Sequence, residues 1–390
     1  MTAPLPPESL VRKGRDLRVD LLRGIALWLI FIDHTPGNLL GWVTLRNLAF
    51  CDATEFFVLL AGYGAGLAYG GMAEREGWAI AGARVLGRVF TLYVSHIFLF
   101  VLLTAQVGFS AAALEQTTYL DELMLDPFAN EPYRAMLEAL LLRYQPAFLD
   151  ILPMYIVMLA LFAPALALVG RPGVLLLLSA ALYVAARAFG LTLPSWTGSG
   201  WHFNPFAWQF LFVIGVVLAR LPPELLGRRF PWRRWIAALV VLVLVGVGVA
   251  LNLVWHAPAL GFEPPALLAD AFWRVDKTSL HPARLASALM IVWLLVHLVP
   301  YTARWVGGRG AAPFVLMGQQ GLAVFCAGIF LSFLGRLALE TSSGPVMQLG
   351  VNLAGLGALI LVAAISAWYA QGGRRRKPAS LPSATPPATA

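Results

Sequence analysis

Residues 18–38 read RVDLLRGIALWLIFIDHTPGN. The middle of this stretch is apolar enough to enter a bilayer, yet it carries Asp20, Arg23, Asp33 and His34. Ionisable groups are costly inside a membrane, and they usually face a protein interior or a watery cavity. At about 100° per residue, Arg23 and His34 return to nearly the same face of a helix, roughly 16 Å apart along its axis. Asp20 shares that face one turn before Arg23, a spacing at which an Asp–Arg pair is favourable. Asp16 extends the polar line by a further turn, whereas Asp33, adjacent to His34, points about 100° away. The stretch predicts a membrane helix with a single polar stripe, ending near Pro36-Gly37.

The rest of the chain shares the apolar character. Of 390 residues, 59% are hydrophobic and 12% charged, about half the charge of a soluble domain. Apolar runs of about twenty residues recur from end to end, each long enough to cross a hydrocarbon layer as a helix. Their continuity sets aside the short alternating strands of a membrane barrel. The reading is an all-α polytopic membrane protein with ten spans, near residues 19–36, 53–72, 85–108, 148–169, 173–190, 206–220, 235–255, 284–300, 314–334 and 346–370.

The net charge of +8 is a topology signal rather than a nucleic-acid footprint. Arg12, Lys13, Arg15 and Arg18 precede the first span; Arg75, Arg84 and Arg88 follow the second, and Arg171 the fourth. Arg220, Arg228, Arg229, Arg233 and Arg234 follow the sixth, Arg304 and Arg309 the eighth, and Arg374, Arg375, Arg376 and Lys377 the tenth. All fall on one side if the termini do, so both termini are expected to be cytoplasmic. The chain divides into a basic cytoplasmic segment (1–18), a transmembrane domain (19–370) and a cytoplasmic tail (371–390). From Pro378 onward that tail is Pro, Ala, Ser and Thr apart from Leu381, too poor in apolar bulk to fold. No cleavage site follows the first apolar run, so no removable signal peptide is expected. Cys51 and Cys326 have no metal-ligand spacing and read as free thiols. The outward loops are long: Phe109 to Ala147, whose second half has the spacing of a surface helix, and His256 to Pro282.

The polar stripe has two readings. Asp20 and Arg23 neutralise one another, with Arg23 reaching the headgroups, or they form part of a site. His34 either bonds between helices or acts as a general base toward a hydroxyl, because its pKa lies near the working pH. An Arg-Gly following an Asp, with a His eleven residues after the Arg, is similar to the first helix of membrane acyltransferases that decorate bacterial polysaccharides. The pieces RDLRVDLLRG, FIDHTPGN, DATEFFVLLAGYGAG, LYVSHIF, NPFAWQFLFVIG and MGQQGLAVFCAGIFLS resemble the OpgC family, which is linked to succinylation of osmoregulated periplasmic glucans. The resemblance implies a multi-pass protein of the bacterial inner membrane. It also implies an acyl-CoA donor, succinyl-CoA by family, on the cytoplasmic side and a periplasmic glucan hydroxyl on the other. Arg23 would then meet the donor and His34 the acceptor. No permanently bound cofactor, metal or nucleic acid is expected; the partners are membrane lipids, the thioester and an envelope glycan.

Other residues join that expectation. Asp52 reads as a helix N-cap at the edge of the acceptor side, and Glu55, at the depth of His34, as a group that orients its charge. Gly62, Gly66 and Gly70 form a small-residue packing face. Arg84 and Arg88 suit either anchoring at the inner surface or the phosphates of coenzyme A. His96, about 12 Å deeper than Arg88, matches the family's Tyr-x-x-His with Tyr93 and is the second catalytic candidate, against an interhelical hydrogen bond. In LPSWTGSGWHFNPFAWQF, Trp201, His202, Asn204 and Trp208 suit sugar rings as well as they suit an interfacial belt. Gln319 and Gln320, read as the start of the ninth span, could meet a pantetheine amide or a neighbouring helix. Asp270, Arg274, Asp276, Lys277 and His281 read as a solvated face. The rival function is a transporter or a flippase of a glycan or lipid-linked sugar, in which intramembrane ionisable residues also mark a path. Transporters often repeat internally, and nothing later in the chain repeats the Arg-to-His stripe.

Overall fold

The polar stretch folds as one helix, α1 (Leu17–Asp33). Asp16 starts it by accepting from the backbone N–H of Arg18 at 3.0 Å, an N-cap that satisfies an otherwise orphan donor. It stops at His34, and Gly37, at φ 80°, turns the chain away. The computed structural model describes residues 11–12, 15–198, 200–222, 225, 230–256, 261, 263–300 and 302–375. Lys13, Arg228, Arg229, Arg376 and Lys377, with the tail from 376 onward, lie outside the described residues.

In chain order there follow α2 (Ala53–Glu76), α3 (Trp78–Ala113), α4 (Ile151–Leu168), α5 (Pro172–Phe189), α6 (Pro205–Arg220) and α7 (Arg234–Trp255). Then come α8 (Pro282–Leu298), α9 (Ala312–Gln319), α10 (Gly321–Thr341) and α11 (Pro345–Arg375). Seven of them, α2, α3, α4, α5, α7, α10 and α11, are long and apolar enough to cross a membrane. The chain is therefore a multi-pass membrane protein. The sequence predicts ten spans, and a helix lies at each predicted position. However, α1, α6 and α8 have only 16 or 17 residues, short of the roughly twenty a full crossing takes. The predicted ninth span is two helices, because the ladder breaks at Gln320. Gln319 and Gln320 thus sit at an interior break rather than at the start of a helix. The only strands among the described residues are the two-residue pair Val11–Arg12 and Arg15–Asp16.

Packing is set by glycines. α1 lies against α9, α2 and α10, and α2 lies against α6. A Cβ on Gly24 would overlap the carbonyl oxygen of Phe314, and one on Gly318 that of Asp20, so α1 and α9 meet backbone to backbone. Gly62 and Gly215 lock α2 to α6 in the same way, against Phe212 and Leu59, and Gly66 lies on Val216. The predicted small-residue face is thus a helix seam, which lets dispersion contacts act where no hydrophobic drive exists between helices in lipid. Just beyond it, α2 loosens into a π-helical turn, Gly66–Gly70, a feature often found at functional sites. The outer faces of α3, α5, α7 and α11 expose Phe90, Phe98, Leu177, Leu242 and Leu361, a belt suited to lipid.

The long loop before α4 does not simply lie along a surface. It forms short helices Thr118–Glu122, Asp126–Asn130 and Pro132–Leu140 and sends Tyr119, Leu125, Ala135, Tyr144 and Leu149 into the core. Tyr119 bonds Glu340, and Arg336 of α10 reaches Glu122 at 2.5 Å.

The glycine seam yields a direct test. Gly24→Ala should lower the thermal midpoint of the purified protein in detergent by several degrees or abolish its accumulation. Gly357→Ala, where a new Cβ meets nothing within 4 Å, should be neutral or stabilising, since Ala is favoured over Gly by about 1 kcal/mol within a helix.

Candidate functional site

Each end of α1 opens on a cavity. The larger, of about 850 Å³, is lined by Asp33, His34, Asp52, Asp150, Trp201, His202, Lys277 and Arg284 among others. The smaller, of about 460 Å³, is lined by Asp16, Asp20, Arg23, Tyr69, Arg88, Tyr155 and Gln319. Both volumes are of the size that small-molecule sites have.

In the larger cavity, His34 Nδ1 lies 2.8 Å from the carbonyl oxygen of Ile30. A carbonyl can only accept, so Nδ1 carries the proton, and in the neutral ring Nε2 keeps its lone pair. Among the described residues Nε2 has no hydrogen-bond partner, and the ring edge rests on Phe148 with centroids 4.7 Å apart. The orientation of the imidazole is therefore fixed by its own helix. Asp33 takes no part in that: its carboxylate accepts from the Thr44 hydroxyl at 2.6 Å, and its carbonyl from Arg46 at 3.2 Å. It braces the turn that leaves α1.

Asp52 and Glu55 form a reciprocal capping box at the start of α2, the arrangement that satisfies two orphan N–H groups at once. They do more than cap. Asp52 also accepts from Lys277 Nζ at 2.6 Å and from Arg284 at 3.2 Å, and the fully buried Glu55 accepts from Arg284 Nε at 2.7 Å. Burial alone would raise the Asp52 carboxyl, but Lys277 and Arg284 reverse this and hold it well below the usual range. Glu55 therefore serves the charge cluster and makes no hydrogen bond to His34.

Lys277 belongs to this wall and not to a solvated face. Its ammonium sits 5.2 Å over the Phe203 ring. Its carbonyl and that of Thr278 accept from Trp208 Nε1 at 3.1 and 3.2 Å, while Asn204 N–H donates to Thr278 at 3.0 Å. Tyr183 holds Leu280, Arg187 pairs with Asp276 at 3.3 Å, and His281 accepts from Ala283 N–H as the cap of α8. Only Trp201 and His202 of the four aromatic-loop candidates line the cavity. Asn204 and Trp208 are buried behind it and fasten the segment that carries Lys277.

In the smaller cavity Arg23 donates to the Leu60 carbonyl at 3.0 Å and stands 4.0 Å from Asp20, which also receives Gln319 Nε2 at 3.4 Å. The π-helical turn of α2 contributes Tyr69, and α3 contributes Arg88. Arg84, one turn away, is exposed and lines neither cavity. His96 lines neither cavity: it is wholly buried, and neither ring nitrogen has a partner in the described residues. The interhelical bond expected of it is likewise not made.

The family model described as OpgC protein matches residues 15–371. The chain belongs to the OpgC family. No curated protein and no solved structure matches it. In this OpgC protein the matched region runs from two residues before α1 to the end of the apolar part of α11, so both cavities lie inside it.

The charge cluster is testable by a double-mutant cycle. Asp52→Asn and Lys277→Met should each lower stability, and together by less than their sum. The expected coupling is about 1–3 kcal/mol, as for a hydrogen-bonded ionic pair with partial burial. SDS titration of the purified protein reads it; coupling below about 0.5 kcal/mol would match an exposed pair instead.

Proposed function

We propose that this OpgC protein is an O-acyltransferase that moves a succinyl or similar acyl group from a coenzyme A thioester to a hydroxyl of a periplasmic glucan. Family membership supports a membrane acyltransferase acting in glucan succinylation. One observation carries the residue-level reading: a single helix joins two cavities, with a guanidinium at one and an imidazole that keeps a free lone pair at the other. The Arg23 cavity, near the basic ends of α1 and α3, takes the thioester on the cytoplasmic side. Arg88 and Gln319 are placed to meet its phosphates or amides. The His34 cavity takes the glucan, with Trp201 and His202 offering ring faces to sugar C–H groups. The topology that goes with this has ten passes through the bacterial inner membrane and both termini in the cytoplasm.

The chemistry follows from the imidazole. His34 Nε2 removes the acceptor hydroxyl proton as the oxygen attacks the thioester carbonyl. The new C–O bond forms, the C–S bond breaks, and the imidazolium returns its proton to the leaving thiolate. Lys277, which lines the same cavity, stabilises negative charge that develops there.

Mass spectrometry of periplasmic glucans tests the reading. Deletion of the gene should remove an acyl substituent, the wild-type gene should restore it, and His34→Ala should not, with transfer reduced by roughly 100-fold or more as for loss of a general base. Arg23→Ala should instead raise KM for the thioester with a smaller change in kcat. Unchanged substitution in a well-expressed His34→Ala strain would refute the assignment. Transport of the glycan without consumption of thioester would favour the flippase.

A further inference from the structure

A thioester held at Arg23 is roughly 16 Å from His34 along the helix axis, whereas transfer needs the reacting atoms about 3–3.5 Å apart. The partition between the cavities is thin. On α2, Thr54 lines the His34 cavity and Phe57 the Arg23 cavity, one helical turn apart. On α4 the corresponding residues are Asp150, the N-cap, and Leu152, two positions on. On α1, Ile30 already lines the His34 cavity seven residues beyond Arg23. Phe57 and Phe325 both line the Arg23 cavity and neither lines the His34 cavity, and their rings stack at 6.1 Å and 28°.

We propose that the two cavities are one acyl path, gated by Phe57 and Phe325, and that this ring pair sets which acyl chains reach His34. The inference rests on the acyltransferase reading above. Phe325 lies five residues after the break at Gln320, where a helix end can shift without loss of interior ladder bonds. Phe325 is buried and Phe57 only half-buried, and both line the Arg23 cavity, so Phe57 is the ring with open volume beside it. The opening is bordered by Leu152 and Ile30, which suits a slender acyl-pantetheine arm. The phosphates and base of the carrier stay with Arg23 and Arg88. A dicarboxylic chain leaves one cation at the entrance, Arg23, and meets another at the exit, Lys277.

The test compares binding with transfer in the purified protein, using succinyl-CoA and glutaryl-CoA as donors and glucan as acceptor. Phe57→Trp should hold the Kd for succinyl-CoA within about 3-fold while lowering ester formation more than about 10-fold, a split expected when approach and not binding is obstructed. Phe57→Ala should raise glutaryl over succinyl transfer by about 10-fold, the discrimination one methylene commands. Phe325→Leu, a milder change that preserves an apolar core position, should move the same ratio in the same direction. Wild-type transfer by Phe57→Trp, or parallel loss of binding and transfer in it, overturns the path alone, as does an unmoved glutaryl ratio in both smaller variants. A wild-type protein that neither binds succinyl-CoA nor acylates glucan overturns the function, and the path with it.

Discussion

The close approach of α1 and α9 governs the rest of the molecule. Gly24 rests on the backbone of Phe314 and Gly318 on that of Asp20, so each helix supplies the gap that the other fills. Such a seam fixes the rotation of α1 about its axis, because any turn would drive a side chain into a carbonyl. Arg23 and His34 share one face, so that single angle places the guanidinium in one cavity and the imidazole in the other. The polar groups left inside are then satisfied locally. Arg23 finds the Leu60 carbonyl and Asp20, Asp20 also finds Gln319, and His34 finds Ile30. Without such partners each would be an uncompensated cost in a low-dielectric interior.

The His34 end is built by long-range charge. Asp52 and Glu55 stand at the start of α2, and their cations come from Lys277 and Arg284, more than two hundred residues later. Trp208, Asn204, Tyr183 and Arg187 all hold the main chain or side chains of 276–280 in place. The wall is therefore fastened from several elements at once. The general-base role proposed for His34 needs such a pre-positioned cavity, since a shift of about 1 Å in a reacting group can cost two orders of magnitude in rate.

Features with a short sequence period were legible before any coordinates. The face shared by Arg23 and His34 follows from the α-helical angle, and the seam at Gly62 and Gly66 from four-residue spacing. The ten apolar runs follow from hydropathy. Residues whose roles depend on chain return were not. Lys277 looked like part of a solvated loop because acids and bases alternate around it in sequence; its structural partner is Asp52. The available signal was the converse one, two acids at a membrane edge with a single cation, Arg46, nearby in sequence. Trp208 and Asn204 have the composition of a sugar site, yet they face inward to hold a loop, a distinction composition does not make. The inward folding of residues 114–150 likewise depends on tertiary contacts, chiefly those of Tyr119 and Arg336 with Glu340 and Glu122, and no sequence period marks the break at Gln320.

The central claim is that donor and acceptor approach α1 from opposite ends. Its most direct test is purified protein reconstituted in one orientation in sealed vesicles, with succinyl-CoA on one side and glucan on the other. The account predicts that ester forms when the thioester is on the side of the Arg23 cavity and the glucan on the side of the His34 cavity, and not in the reverse arrangement. Ester formation only when both substrates share one side would contradict it.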